Sequence, residues 1–209
     1  MGFDILGIFS IIGASYALLS SFISHYGYAA IFGLMALEGS SLPIPSEVVL
    51  PLAGLFAARG ILNLPFAFLA ALFGSIVGLG VDYYIGYYLG KDVVYKHLKS
   101  FHIKKESLDA FDEWFSRNGF AAVFLSRFIP LLRTLMSFPA GFARMPQRRF
   151  FAYSIAGCVI YDFVLIYFGY KALSSSSAVV ILASIGVFAI ALYAAYHYSL
   201  KYMKSHNKK

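Results

Sequence analysis

Six ionisable side chains lie inside otherwise apolar stretches of this 209-residue chain, and their types suggest a shared chemistry. At the centre of a bilayer each would cost about 2.5–3.5 kcal/mol, so each needs a partner or a use. The paired N–H donors of arginine suit phosphate, and desolvated carboxylates can carry protons. The residues are two arginines, Arg127 and Arg133, as candidate phosphate ligands, two glutamates, Glu38 and Glu47, as candidate proton carriers, and two aspartates, Asp82 and Asp162.

Two questions about these six side chains stay open at the level of sequence. The aspartates either line the same polar cavity as the other four residues or belong to a network that packs helices together. The glutamates and arginines either form a substrate site or pair as buried salt bridges that hold the fold together.

The surrounding composition is that of an integral membrane protein. Sixty per cent of the residues are hydrophobic and 13% are charged, about half the charged fraction of soluble domains. The N-terminus has neither a basic region nor a small-residue cleavage site, so we expect the first apolar segment to stay in the mature protein. A transmembrane helix needs about 20 apolar residues. Helices that span the membrane are therefore predicted at residues 5–24, 64–89, 150–170 and 178–198.

Two regions contain apolar runs that are too short to span, and each is predicted to be a re-entrant hairpin. In residues 27–60 the runs are separated by EGSSLPIPSE, and in residues 119–146 they are separated by RFIPLLR. Broken backbone at membrane depth is tolerated only beside protein or a water-filled cavity. Ser46 is the predicted N-cap of the helix that restarts in the first hairpin, where the helix dipole attracts anions. The residues predicted to shape the hairpins are Pro43, Pro45, Gly54, Pro130 and Gly141.

Matching intervals indicate an internal repeat. Pro43 precedes Gly54 by the same number of residues as Pro130 precedes Gly141. The span that follows each hairpin also contains two glycines, and their spacing is the same in both spans. These glycines are Gly74 and Gly86 in one span and Gly157 and Gly169 in the other. Each half is thus predicted to be one hairpin followed by one span.

The basic residues predict the orientation of the chain. Thirteen of the 17 lie in residues 91–117, in the loop at 144–149 and in the tail at 199–209. The positive-inside rule places these segments, and with them both termini, in the cytoplasm of a plasma-membrane protein, with residues 91–117 cytoplasmic or interfacial. The two hairpins would then enter from opposite sides. The predicted fold class is an all-α polytopic membrane protein with an inverted repeat, an architecture typical of transporters.

The motifs around the candidate residues resemble the DedA family. They are Glu38 followed by PIPSE at 43–47 and Ala-Gly at 53–54, then RFIPLLR at 127–133, Ala-Gly at 140–141 and Met145. The resemblance covers about residues 25–172. It implies movement of a lipid phosphate across the plasma membrane, either a polyprenyl phosphate such as undecaprenyl phosphate or a phospholipid, and resistance phenotypes that depend on the proton-motive force. In the family pattern Glu38 and Glu47 are the functional acidic pair, and Arg127 and Arg133 are the arginine pair.

The chain departs from the family pattern at four positions, and the first is Ser46, where many members have Gly. Many members have Asp where this chain has Leu79, Arg where it has Tyr87 and Trp where it has Tyr161. Asp82 lies one helical turn beyond Leu79 and is a candidate replacement for the acidic position.

Four functions follow as hypotheses. The first is a proton-coupled carrier of a lipid phosphate, and its alternatives are a passive phospholipid scramblase and a small-cation/proton antiporter. A lipid-phosphate enzyme has the least support, because none of the five histidines adjoins the arginine motif. The expected partners are the lipid phosphate, protons and the bilayer. No catalytic residue, metal site or cofactor is predicted, and the net charge of +7 is explained by topology, without nucleic acid.

The predicted topology can be tested by labelling engineered cysteines. We expect residue 147 to be labelled only from the cytoplasmic side and residue 59 only from the outside, because basic residues divide in that way. Labelling of both positions from the same side would contradict the inverted repeat.

Overall fold

A computed structural model describes residues 5–42, 44–98 and 105–172, and within these ranges the chain forms eight α-helices and no strand. The all-α prediction is confirmed for this part of the chain. The predicted span at 178–198, the basic tail and Pro43 lie outside the described residues. The helices are α1 Ile5–Tyr26, α2 Tyr28–Gly39, α3 Ser46–Ala58, α4 Leu64–Leu98, α5 Lys105–Ser126, α6 Pro130–Leu135, α7 Ser137–Phe142 and α8 Gln147–Ala172.

Two long helices form the centre of the described fold. Leu64–Leu89 of α4 and Gln147–Lys171 of α8 are each long and apolar enough to cross a membrane. They run antiparallel, because the rings of Phe68 and Phe163 meet near one end and those of Tyr83 and Phe150 stack near the other. These helices contain the spans predicted at 64–89 and 150–170.

Both polar interruptions of the sequence also interrupt helices. Between α2 and α3 the chain turns through Ser41, whose φ of 59° lies in the left-handed region, and Pro45 is extended at φ −76° and ψ 92°. The second interruption follows Ser126, and α6 begins at Pro130. The structure thus contains both helix breaks. Whether the broken segments re-enter a membrane, and from opposite sides, stays a prediction.

The helix boundaries differ from the predicted ones in the second half of the chain. The segment at 91–117, predicted as an interfacial helix pair, contributes to two longer helices, because α4 continues to Leu98 and α5 runs from Lys105 to Ser126. No proline interrupts the sequence from Lys91 to Ser126, so the helices extend beyond the apolar runs. The returning arm of the second hairpin is split into α6 and α7, which meet at Met136.

Glycines allow the short helices to lie directly on the backbones of the long helices. A Cβ added at Gly54 of α3 would overlap the carbonyl oxygen of Ile166 in α8 and lie 2.7 Å from the Tyr170 nitrogen. A Cβ added at Gly141 of α7 would overlap the carbonyl oxygen of Tyr83 in α4 in the same way. Each Ala-Gly motif therefore packs against the long helix that follows the other hairpin.

The α3–α8 contact can be tested at Gly54. Gly54→Ala is expected to destabilise the protein by about 1–3 kcal/mol, because the added methyl group overlaps the backbone of α8. Gly33→Ala in α2 is the matched control, since its added Cβ meets no atom of the described residues within 4 Å. That control is expected to be neutral or stabilising by about 0.5–1 kcal/mol. Thermal unfolding of the purified variants in detergent measures the difference, and equal melting temperatures would contradict the contact.

Candidate functional site

Arg133 of α6 lies at the centre of a buried charged cluster. Its Nε atom is 3.3 Å from Oε1 of Glu38 in α2, and its Nη2 atom is 3.6 Å from Oδ1 of Asp162 in α8. The guanidinium carbon lies 4.2 Å from the centre of the Tyr161 ring, also in α8. The exposed fraction is 3% for Arg133, 4% for Glu38 and 0% for Asp162. Three helices that are distant in sequence thus meet at one guanidinium group.

The first helix break supplies both glutamates to this region. Glu38 lies in the last turn of α2, and its Oε1 atom also accepts a hydrogen bond of 3.2 Å from the Ser46 hydroxyl. The prediction that Ser46 caps α3 is wrong, because Pro45 occupies the N-cap position and the hydroxyl of Ser46 binds Glu38 instead. Glu47 is half-buried and accepts a hydrogen bond of 2.9 Å from the Tyr161 hydroxyl. Tyr161 therefore connects Glu47 to Arg133.

Arg127 has a different environment from Arg133. Its side chain is 1% exposed, and its guanidinium group donates hydrogen bonds to the backbone carbonyl of Arg133, to Ser137 and, at 2.9 Å, to Ser154. Its aliphatic stem lies on Gly157, where an added Cβ would come within 2.7 Å of it. Among the described residues it makes no salt bridge. The structural ion pair foreseen as an alternative thus forms at Arg133, whereas Arg127 fixes the backbone that carries Arg133.

The two aspartates separate. Asp162 belongs to the Arg133 cluster, and the Ser75 hydroxyl of α4 lies 3.4 Å from its Oδ2 atom. Asp82, which is 1% exposed, accepts a hydrogen bond from Ser41 in the first helix break. Leu79, one turn earlier, packs in an apolar cluster with Tyr83. Asp82 therefore holds the first helix break in place and does not contact Arg133.

Serines and a tyrosine complete the site, and the sequence analysis did not identify them as partners. Ser75 and Ser154 were visible only as polar residues in apolar helices, Ser46 was predicted only as a helix cap, and nothing in their spacing indicates which charge each one contacts. Tyr161 was noted only as a departure from the family pattern. The partners omitted from the prediction are Ser46, Ser75, Ser137, Ser154 and Tyr161.

The cluster retains unused hydrogen-bonding capacity. Four of its buried atoms have no hydrogen-bond partner among the described residues, and leaving such an atom unpaired costs about 1–3 kcal/mol. Arg133 carries one positive charge against the two negative charges of Glu38 and Asp162 when all three are ionised. These atoms are Oε2 of Glu38, Oδ1 of Asp162, Nη1 of Arg133 and Nε of Arg127, and Oδ1 of Asp162 keeps its ion pair with Nη2 of Arg133.

The central ion pairs can be tested by their effect on stability. Arg133→Gln is expected to destabilise the protein by about 3–5 kcal/mol, because it leaves two buried carboxylates without a counter-charge. The same replacement should cost much less in a Glu38→Gln, Asp162→Asn background. Arg149→Gln, at an exposed arginine, is the control and should change stability by less than about 0.5 kcal/mol. Thermal unfolding measures the four variants and the wild type, and an equal loss in both backgrounds would contradict the ion pairs.

Comparison with known proteins shows the family. The profile of the VTT domain matches residues 44–171. Undecaprenyl phosphate transporter A of Staphylococcus aureus is 38% identical over 163 residues, which cover 76% of this chain and 80% of the relative. The uncharacterized membrane protein slr0232 of Synechocystis is 35% identical over 152 residues, covering 73% and 70%. An alkaline phosphatase-like protein of Lactococcus lactis is 32% identical over 152 residues, covering 70% and 71%.

No solved structure gives a significant match to the chain. The extent of the VTT match and the identities of these relatives nevertheless decide the family question, and they confirm the resemblance seen in the hairpin motifs. The chain is a membrane protein that belongs to the VTT-domain family, the DedA family.

Proposed function

We propose that this protein is a transporter that moves a lipid phosphate across the plasma membrane in a proton-coupled manner, with Arg133 as the principal phosphate ligand. The observation that carries the proposal is the buried guanidinium group of Arg133, which is paired with Glu38 and Asp162 and has one unpartnered Nη1 atom. Arginine binds phosphate through paired, charge-assisted hydrogen bonds. The relatives named undecaprenyl phosphate transporter A support a polyprenyl phosphate such as undecaprenyl phosphate as the lipid.

Proton coupling follows from competition for Arg133. While Glu38 is ionised, its carboxylate is paired with the guanidinium group of Arg133. A phosphate that approaches Arg133 is then repelled by this negative charge. Protonation of Glu38 weakens that ion pair and releases N–H donors to the phosphate. The proton and the lipid anion then cross together, and less net charge enters the hydrocarbon.

Glu47 and Arg127 take supporting roles in this scheme. Glu47 accepts a hydrogen bond from the Tyr161 hydroxyl, and the ring of Tyr161 lies against the guanidinium group of Arg133. Protonation of Glu47 can therefore change the position of the ring that packs on Arg133. Arg127 binds the Arg133 carbonyl and adds a second positive charge and a free Nε donor for the phosphate.

The proposed topology has two re-entrant hairpins in an inverted repeat, with both termini in the cytoplasm. The reciprocal contacts of α3 with α8 and of α7 with α4 support a repeat, because equivalent glycines make equivalent contacts. The basic segments support the orientation. In such transporters the substrate site lies where broken helices meet, and the Arg133 cluster has that position.

A lipid-phosphate enzyme is the second candidate, favoured by relatives named alkaline phosphatase-like protein. An enzyme needs an accessible nucleophile or a metal-bound water beside the phosphate. The described residues contain no group of three His, Cys, Asp or Glu side chains placed to hold a metal ion. The thiol of Cys158 is buried. Transport is therefore the function with the stronger support.

The proposal is tested with proteoliposomes that carry a fluorescent lipid phosphate and an imposed pH gradient. We expect wild-type flux to follow the gradient. Arg133→Lys should lower flux about tenfold, since a point charge loses the paired geometry. Glu38→Gln and Glu47→Gln should keep headgroup binding and lose the response to the gradient. Arg149→Lys, at an exposed position, is the matched control and should transport as wild type does.

The other functions give different results in the same assay. Flux that ignores the gradient in the wild type indicates a passive scramblase. Cation-driven proton movement that survives Arg133→Lys indicates an antiporter, which needs the carboxylates but not the arginine. Release of inorganic phosphate from the lipid indicates an enzyme, and undiminished lipid flux in Arg133→Lys would contradict the role of Arg133.

A further inference from the structure

The atoms of the Arg133 cluster that have no hydrogen-bond partner are of two kinds. Oε2 of Glu38 and Oδ1 of Asp162 are acceptors, and Nη1 of Arg133 is a donor. All three side chains are more than nine-tenths buried, and both carboxylates contact the same guanidinium group. A ligand at Arg133 would therefore meet acceptors and donors side by side.

This arrangement discriminates between forms of phosphate. A phosphodiester and a fully ionised monoester offer only acceptor oxygens, which suit Arg133 but face the carboxylate oxygens without a proton between them. A singly protonated monoester offers acceptor oxygens and one P–O–H donor. Where the neighbouring carboxylate is ionised, only that form satisfies the guanidinium group and the carboxylate together, and a buried group left unpaired weakens binding.

We propose that the site selects a phosphate monoester in its singly protonated form, whose P–O–H group donates to Asp162 or Glu38 while its other oxygens accept hydrogen bonds from Arg133. Asp162 thereby becomes a substrate-contacting residue. The inference rests on the proposed function, in which Arg133 binds the phosphate. Monoesters lose their second proton near a pKa of about 6, so both ionic forms are available to the cell. The proton that accompanies the lipid is then shared between the phosphate and a carboxylate.

Other groups near the two carboxylates also titrate, so the test must separate them from the ligand. Ser75 faces Asp162 from α4 but does not titrate in this range, and Asp82 of α4 is held by Ser41. The charged and titratable groups that face Glu38 or Asp162 are Arg133 from α6, Glu47 from α3, Arg127 from the segment before α6 and Cys158 from α8. Tyr161 of α8 faces Arg133 and Glu47.

The experiment measures binding of three probes to the purified full-length protein in nanodiscs: dodecyl phosphate, its methyl diester and dodecylphosphonate. At about pH 6 the monoester is expected to bind about tenfold more tightly than the diester. Its affinity should fall between about pH 5 and about pH 8 as it loses its second proton. The phosphonate has a higher second pKa, so its binding midpoint should move to higher pH, whereas binding of the diester should vary little.

Asp162→Asn adds a second test, because an amide replaces the ionised acceptor with a group that can also donate to an ionised phosphate. The preference for the monoester over the diester is expected to fall towards one, and the fall in affinity at high pH is expected to diminish. Asp82→Asn is the matched control, since Asp82 is also a buried aspartate on a long helix but does not contact Arg133. It should keep the wild-type preference.

Three outcomes are distinguishable. Equal affinity for the monoester and the diester, with both lost in Arg133→Lys, would overturn the selection and leave the phosphate-binding function standing. A shared pH midpoint for phosphate and phosphonate would overturn it too, since a protein group would then decide the pH dependence. Absence of binding for all three probes would overturn the proposed function itself. The comparison of ligands needs only the wild type, so it decides the question even where Asp162→Asn does not fold.

Discussion

The ion pairs of Arg133 with Glu38 and Asp162 bring together three separate helices in the interior of the protein. Charges removed from water are tolerated only where a partner of opposite sign lies close by, and a single unmatched charge costs several kcal/mol. The ends of α2 and α6 must therefore meet beside α8 for the fold to be stable. A continuous helix in either place would carry Glu38 and Arg133 along separate axes, and the two helix breaks let them converge.

The rest of the described structure holds this meeting point in place. Gly54 and Gly141 bring the short helices against the backbones of α8 and α4, so the broken segments rest on rigid supports. Arg127 binds the carbonyl of Arg133 and the hydroxyls of Ser137 and Ser154, which ties the second break to α8. Asp82 holds the first break through Ser41. Buried polar groups thus support irregular backbone whose own hydrogen bonds are short turns, such as those from Ser41 to Glu38 and from Phe128 to Leu125.

The sequence predicted those features that depend on chemical type and spacing along the chain. Six charges in apolar runs identified the candidate site, and the prolines beside them located both helix breaks. The sequence could not predict which charges pair. That Asp162, and not Glu47, contacts Arg133 depends on differences of a few ångströms between helices that are distant in the chain. The prediction for Ser46 was wrong for the same reason, because its sequence position allows the hydroxyl either to cap a helix or to donate to Glu38.

The exchange of contacts between the halves has a consequence for how the chain is made. During translation α3 is made before α8, so the backbone that Gly54 contacts does not yet exist. In the same way, α4 is made before α7, which packs against it. Neither half can complete its packing alone, and Glu38 has no counter-charge until Arg133 has been translated. The faces of α3 and α4 that contact α8 and α7 therefore stay uncovered until the second half has been translated. Final compaction becomes a late step that depends on the arrival of the second half.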